Sequence, residues 1–260
     1  MSHSTLAPRL ADYWLTIYRR TWKGTVVSSF VTPLLYVVSL GVLLGGFVEA
    51  DPARLDGATS YVDFVAPGML AAASMQLVFS QLTYNVFGGI RWHKTYYAMT
   101  ATPLGVADVV QAQVGYVLAR VLLGALVFCL VLAPFGIFAS VGGGVVAVAV
   151  QALVALAFAT PVFAFSAWIS HESAFALLFR LGMLPLFLFS GAFFPVDNLG
   201  PALSRLATVS PLWHGVELTR MASLGTWQAG PALLHVAYLA VLGVVGYLLA
   251  VRALTRRLVS

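Results

Sequence analysis

The sequence predicts an all-α integral membrane protein with six transmembrane helices, and three observations carry that prediction. Of 260 residues, 60% are hydrophobic and only 9% charged, with a mean hydropathy of +0.93. A soluble domain carries about 25% charged residues, so a soluble fold this poor in charge could not cover its own surface. Six apolar runs, at about 24–48, 62–90, 107–135, 141–169, 174–192 and 231–251, each approach the ~20 residues a span requires. Charges gather at the ends of these runs, where they escape the cost of about 2.5–3.5 kcal/mol for an ionisable group at bilayer depth. Two-residue alternation is absent over these lengths, which argues against a β-barrel.

Residues 1–23 precede the first run. Leu6, Leu10, Tyr13, Trp14, Ile17 and Tyr18 fall on one side of a helical wheel, and Asp12, Thr16, Arg19, Arg20 and Lys23 on the other. This pattern fits an amphipathic helix in the headgroup layer, with Trp14 and Tyr18 towards the acyl chains and Arg19 and Arg20 towards water. A helix packed on a soluble partner is the alternative. The first apolar run is too long and starts too late for a cleavable signal sequence, so the first helix is expected to be retained.

Orientation follows from the loops. Arg9, Arg19, Arg20 and Lys23 precede the first span, Arg91 and Lys94 follow the second, and Arg252, Arg256 and Arg257 follow the sixth. Nine of the fourteen cations thus share one side if the spans number six. The loop after the first span is acidic, with Glu49, Asp51, Asp56 and Asp63 against Arg54. Both termini are therefore expected in the cytoplasm. The scattering of the cations over helix ends also argues against a nucleic-acid partner.

The second span is dense in polar groups: Gln76, Ser80, Gln81, Thr83, Tyr84 and Asn85. Gln76, Ser80 and Thr83 share one helix face. They either line a path for a polar substrate or make interhelical hydrogen bonds of about 0.6 kcal/mol each. The turn at 91–103 follows. Gly88, Lys94 and Thr95 imitate a phosphate-binding loop, but His93 stands where glycine is required and no buried strand precedes it, so ATP binding by this chain is not expected.

Arg120 lies inside the third span and Arg180 near the start of the fifth; the latter can snorkel or meet Glu172. Cys129, the single cysteine, reads as a buried, inert thiol. Pro33, Pro161 and Pro185 are positions where helices can kink.

Residues 193–230 are too polar and too rich in proline to span. Two short helices are expected there, one after Asp197 or Asn198 and one after Ser210, with Ser210 as N-cap and Pro211 at the first helical position. Broken apolar backbone beside a membrane reads as a re-entrant or interfacial hairpin. Within it, His214 and Glu217 at i, i+3 spacing offer half a metal site or an acid/base pair, but a third ligand is missing. An integral-membrane enzyme acting on lipid carriers, or a non-transporting scaffold, are the readings this leaves beside transport. No long linker or internal repeat divides the chain, so residues 1–260 form one domain: interfacial helix 1–23, spans 24–192, hairpin 193–230, and sixth span with tail 231–260.

Several blocks resemble the permease subunits of type 2 ABC exporters, in particular the nodulation protein J group associated with lipo-oligosaccharide export. These are SYVDFVAPG at 60–68, GIRWHKTY at 89–96 with ATPL at 101–104, LFSGAFFPV at 188–196 and SPLWHGVE at 210–217. They occur in the family's order over most of the chain. The resemblance implies a cytoplasmic interfacial helix, six spans, and a re-entrant extracellular hairpin between the fifth and sixth. It implies two permease subunits, here a homodimer, and two copies of a separate ATPase subunit that hold Mg-ATP; this chain itself carries no cofactor, no metal and no catalytic residue. Arg91, Trp92, His93, Lys94, Tyr96 and Tyr97 would then couple to the ATPase, unless the turn merely sets topology. Phe193, Phe194, Trp213, His214 and Glu217 would gate an extracellular exit. The implied cargo is amphipathic, a lipid-linked oligosaccharide or polysaccharide, with a drug or antibiotic exporter on the same scaffold as the alternative. The implied location is the cell membrane.

Overall fold

The computed structural model describes residues 57–259 together with Thr16, Arg19, Val31, Leu34, Leu35, Ser39 and Leu55. Among the described residues every regular element is helical. Helix α1 spans Tyr61–Arg91, α2 Thr95–Thr100, α3 Val106–Leu132 and α4 Val141–Trp168. Helix α5 covers Ala174–Leu188, α6 Pro201–Thr208, α7 Pro211–Leu224 and α8 Ala229–Val259.

Four of these, α1, α3, α4 and α8, are long and apolar enough to cross a membrane. They correspond to the second, third, fourth and sixth predicted runs. Their starts follow local chemistry. Ser60 Oγ accepts from the Asp63 amide at 3.2 Å and Ser140 Oγ from the Gly143 amide at 2.9 Å, so each side chain satisfies a backbone donor that the first turn leaves free. The Asp108 carboxylate accepts from the Gly105 amide at 3.0 Å and does the same for α3.

The first predicted span, 24–48, lies outside the described residues apart from Val31, Leu34, Leu35 and Ser39, and Pro33 lies outside them too. The fifth differs from expectation. Helix α5 stops at Leu188, short of the ~20 residues of a full span, and its middle, Leu178–Met183, is a π-helix. Pro185 has no N–H with which to continue the ladder, and a wider turn just before a proline accommodates its ring. Gly191, at φ 76°, then turns the chain in a conformation that disfavours other residues. Pro161, by contrast, is carried inside the continuous helix α4.

Helix α4 is the hub of the bundle. Helix α8 runs parallel to it: the Thr160 hydroxyl donates to the Gly243 carbonyl at 2.9 Å, and Arg257 Nη2 to the Ile169 carbonyl at 2.9 Å. Helix α7 runs antiparallel to it, between α1 and α4. The Ala139 amide donates to the Ser223 carbonyl at 2.8 Å, and Gln151 Nε2 to Thr219 Oγ1 at 3.0 Å. Gly215 lies opposite Val154. Gly215, in the first turns of α7, thus lies about 20 Å along α4, counting 1.5 Å per residue, and the helix climbs back towards the Val141 end.

The shared core includes Met75, Leu82, Val154, Phe163, Leu212, Leu218 and Leu254, all fully buried. Where α1 meets the segment after α5, Gly68 permits the approach: a Cβ there would lie 2.6 Å from the Ala192 Cα. Small residues that let backbones touch are how helices associate in lipid, where apolar surface alone gives no preference for protein over acyl chain. Cys129 is buried in the α3 side of the core, as expected of an inert thiol.

Candidate functional site

Helix α1 ends in a tight turn built by its own backbone. The Trp92 and His93 amides both donate to the Gly88 carbonyl at 2.9 Å, and Lys94 at φ 51° starts α2 from the left-handed region. This geometry projects Arg91, Trp92, His93 and Lys94 outward; all four are exposed, Trp92 to 53%. The Trp92 indole stands edge-on to Phe87 at 5.6 Å between centroids, so it is exposed yet oriented. Tyr97 is also accessible, and its hydroxyl donates to the Arg257 carbonyl at 3.0 Å, tying the turn to the end of α8.

Tyr96 is a correction. It is 2% exposed, packs against Phe163 at 6.3 Å and donates its hydroxyl to Gln113 Oε1 at 3.1 Å. An aromatic ring at this place braces the turn from within and has no free face for a partner. One residue of helix rotation, about 100°, separates its direction from that of outward-facing Tyr97, and the sequence run WHKTYY did not distinguish them.

The polar residues of α1 divide in the same way. Ser80, Tyr84 and Asn85 are exposed, and Gln76 and Gln81 half-buried. Thr83 is fully buried, with its hydroxyl donating to the Phe79 carbonyl at 2.8 Å, so it belongs to the core and not to an accessible face. The Ser80 hydroxyl donates to Leu77 and the Asn85 amide to the Gln81 carbonyl, each at 2.8 Å. Tyr84 stacks obliquely on Phe175 of α5 at 4.8 Å.

Arg120 joins this group. Its Nη1 donates to Gln81 Oε1 at 2.6 Å and meets the Tyr116 hydroxyl at 3.5 Å, with the guanidinium 5.8 Å from the Tyr116 ring centroid. A cation halfway along α3 is thereby held against the polar side of α1. Arg180, on the π-helical turn of α5, is exposed.

In the segment after α5, Phe193 packs edge-on against Phe187 at 4.9 Å, and its carbonyl accepts from the Tyr61 hydroxyl at 3.0 Å. Phe194 is half-buried. A 3-10 turn, Val196–Leu199, precedes α6, which begins at Pro201 after Gly200. Ser210 takes the N-cap position of α7 with Pro211 first in the helix, but its hydroxyl makes no capping bond.

His214 and Glu217 do not form a pair. His214 Nδ1 lies 2.6 Å from His235 Nδ1 of α8, with Trp213 beside both rings and Tyr238 stacked on His214 at 3.9 Å. Glu217 accepts from Arg220 Nη1 at 2.6 Å. Residues three apart on α7 are drawn to different neighbours, which removes the acid/base and metal readings of that spacing. Among the described residues no cluster of three metal-ligating side chains occurs.

Arg220 is the functional candidate that sequence reasoning missed. It is 3% exposed, its Nη2 donates to the Gly191 carbonyl at 2.8 Å, and its guanidinium sits 4.0 Å from the Phe64 ring centroid. One side chain thus gathers α7, α1 and the turn after α5. The available signal was a cation in an apolar helix three residues after a carboxylate. Of the interfacial set Trp14, Tyr18, Arg19 and Arg20, Arg19 is described and is helical and exposed; the other three lie outside the described residues.

Residues 10–224 match the family model of the ABC-2 type transporter. The chain is 31% identical over 254 residues to nodulation protein J of Sinorhizobium fredii, covering 95% of this chain and 94% of that protein. It is 31% identical over 252 residues to nodulation protein J of Rhizobium leguminosarum bv. viciae, with 94% and 95% covered. Nodulation protein J of Rhizobium meliloti is 28% identical over 252 residues, with 94% of each chain covered. No solved structure matches the chain at a significant level.

Proposed function

Because the chain belongs to the ABC-2 type transporter family, and is the multi-pass membrane subunit of an ABC exporter rather than an enzyme, we propose that it moves an amphipathic substrate with a polar or anionic head, of the lipid-linked oligosaccharide or polysaccharide class. ATP is bound and hydrolysed by a partner ATPase subunit. The proposed assembly is a homodimer of this permease with two ATPase copies, each protomer contributing six spans. The first span and the short helix α5 complete the set.

The observation that carries the substrate reading is the Arg120–Gln81 contact at 2.6 Å, a cation halfway along a long apolar helix. Beside it, Ser80, Tyr84 and Asn85 present hydroxyl and amide groups at the surface of α1. A guanidinium among such groups suits a phosphate followed by sugars, since it binds phosphate oxygens through two parallel N–H bonds. A cation kept at depth is otherwise expensive and marks a function by default.

In the mechanism, the ATPase pair closes on ATP and pushes on Arg91, Trp92, His93, Lys94 and Tyr97 of the cytoplasmic turn. Tyr96, clamped to Gln113 and Phe163, carries that push into α3 and α4. Gly215, in the first turns of α7, lies about 20 Å along α4, which supports a re-entrant hairpin on the outer side. Phe193, Phe194 and Trp213 then shape the exit, and both termini face the cytoplasm.

The test is reconstitution with the cognate ATPase and measurement of ATP hydrolysis. Lipid-linked oligosaccharide is expected to stimulate it, and stimulation by an amphipathic drug alone would assign the drug-exporter reading instead. Hydrolysis unresponsive to either ligand would defeat the reading.

A further inference from the structure

Helices α4 and α8 touch closely at Gly246, where a Cβ would lie 2.7 Å from the Pro161 Cδ. Beyond this contact, towards their cationic ends, a groove of about 400 Å³ opens between them. Its floor is apolar, with Pro161 and Leu249, and its mouth is ringed by Arg252, Arg256, Arg257 and Trp168. No carboxylate is among the described residues that line it. We infer that this groove binds the headgroup of an anionic phospholipid, with the phosphate at the arginines and the acyl chains along Pro161 and Leu249.

Charge and order along the helices select this occupant. Arg252 and Arg256 stand four residues apart, so they share a face and can reach one phosphate together. Arg256 is two turns beyond Leu249, about 10 Å along the axis, so the cations lie on the headgroup side of the apolar floor. Trp168 is 72% exposed at the same level as the arginines. A tryptophan in that position marks the boundary between headgroups and hydrocarbon. The walls are held in place: Arg257 Nη2 donates to the Ile169 carbonyl at 2.9 Å and lies 3.5 Å from Ser170 Oγ, joining the end of α8 to the turn after α4. A second hollow of about 560 Å³ lies on the other side of Trp168, lined by His171 and Ser173 as well. The Trp168 side chain therefore lines both hollows. An acidic protein surface would match the charges but would leave the apolar floor uncovered.

The groove concerns the surrounding membrane and does not depend on which cargo the permease moves. The test places the full chain in phosphatidylcholine vesicles containing phosphatidylglycerol brominated in its acyl chains, with bromine on the phosphatidylcholine in the mirror composition. Bromine quenches indole fluorescence at contact, and the difference between the wild-type chain and Trp168→Phe isolates Trp168. Brominated phosphatidylglycerol is expected to quench Trp168 more strongly than brominated phosphatidylcholine. Arg252→Gln with Arg256→Gln is expected to lower that preference about thirtyfold, the scale of two lost juxtamembrane cations, while Arg252→Lys with Arg256→Lys keeps most of it. Equal quenching by both lipids, or an undiminished preference in the glutamine variant, would overturn the inference. Should the glutamine variant fail to reconstitute, unbrominated phosphatidylglycerol is titrated against the brominated lipid on the wild-type chain. Recovery of Trp168 fluorescence at a lower mole fraction than unbrominated phosphatidylcholine requires supports the site, and equal recovery by the two lipids refutes it.

Discussion

Arg220 Nη1 and Glu217 Oε1 lie 2.6 Å apart on one face of α7, and the same guanidinium covers the ring of Phe64 on α1. The ion pair is therefore also the joint between the hairpin and the first helix of the described bundle.

Removing Glu217 leaves the buried Arg220 guanidinium without its carboxylate, at a cost of about 3–5 kcal/mol, and removing Arg220 takes from Glu217, the Gly191 carbonyl and the Phe64 ring their shared partner. Arg220→Met is expected to lower the thermal unfolding midpoint in detergent strongly, and Glu217→Gln nearly as much. The double variant should recover part of the loss, because no lone charge remains. Additive losses in the double variant would show that the two groups do not act as a pair.

Arg120 distinguishes transport from stability. A hydrogen bond to a charged group contributes about 1.5–3 kcal/mol, so Arg120→Gln should destabilise less than Arg220→Met. Substrate-stimulated ATP hydrolysis should nevertheless fall at least tenfold, with basal hydrolysis kept, since the lost stabilisation corresponds to about that factor. If stimulation survives and only the unfolding midpoint moves, Arg120 is a bundle tie and no more.

At the turn between α1 and α2 the two tyrosines should separate cleanly. Tyr96→Phe removes the bond to Gln113 and is expected to cost about 1 kcal/mol of stability without disturbing ATPase association. Trp92→Ala with Tyr97→Ala should lower the unfolding midpoint only modestly, by the loss of the Arg257 bond and the Phe87 contact, and weaken co-purification of the ATPase several-fold. Intact co-purification and intact transport in that double variant would remove the turn from the coupling surface.

Gly68 is expected to resist even the smallest substitution. The Cβ of Gly68→Ala would meet the Ala192 backbone at 2.6 Å, and overpacking of that kind costs about 1–3 kcal/mol. Gly115, with nothing within 4 Å of its would-be Cβ, is the control, and Gly115→Ala should be neutral or slightly stabilising. Equal effects at the two sites would mean that the α1 contact with the turn after α5 is not close-packed in the membrane.

Hydropathy made the long elements legible: α1, α3 and α4 begin and end within three residues of the predicted runs, while the caps at Ser60 and Ser140 emerged only in the structure. The turn at 91–103 was legible as a turn, but not which of its aromatics faces inward. Tyr96 and Tyr97 are adjacent and chemically alike, and helix rotation alone sends one to Gln113 and the other outward. Helix α5 ends four residues before the predicted run does, since the composition stays mostly apolar to Ala192 and the interruption comes from backbone geometry.

The sequence alone determined that this chain lives in a bilayer as helices, because lipid offers no hydrogen bonds to backbone groups and each span must satisfy its own. Only the tertiary structure decided which side chains meet: Arg220 with Phe64, Arg120 with Gln81, His214 with His235. Such pairs depend on the rotation and relative height of helices distant in the chain. Hydropathy measures how apolar a segment is, and carries no information about which direction a polar group on it will face once the helices have packed.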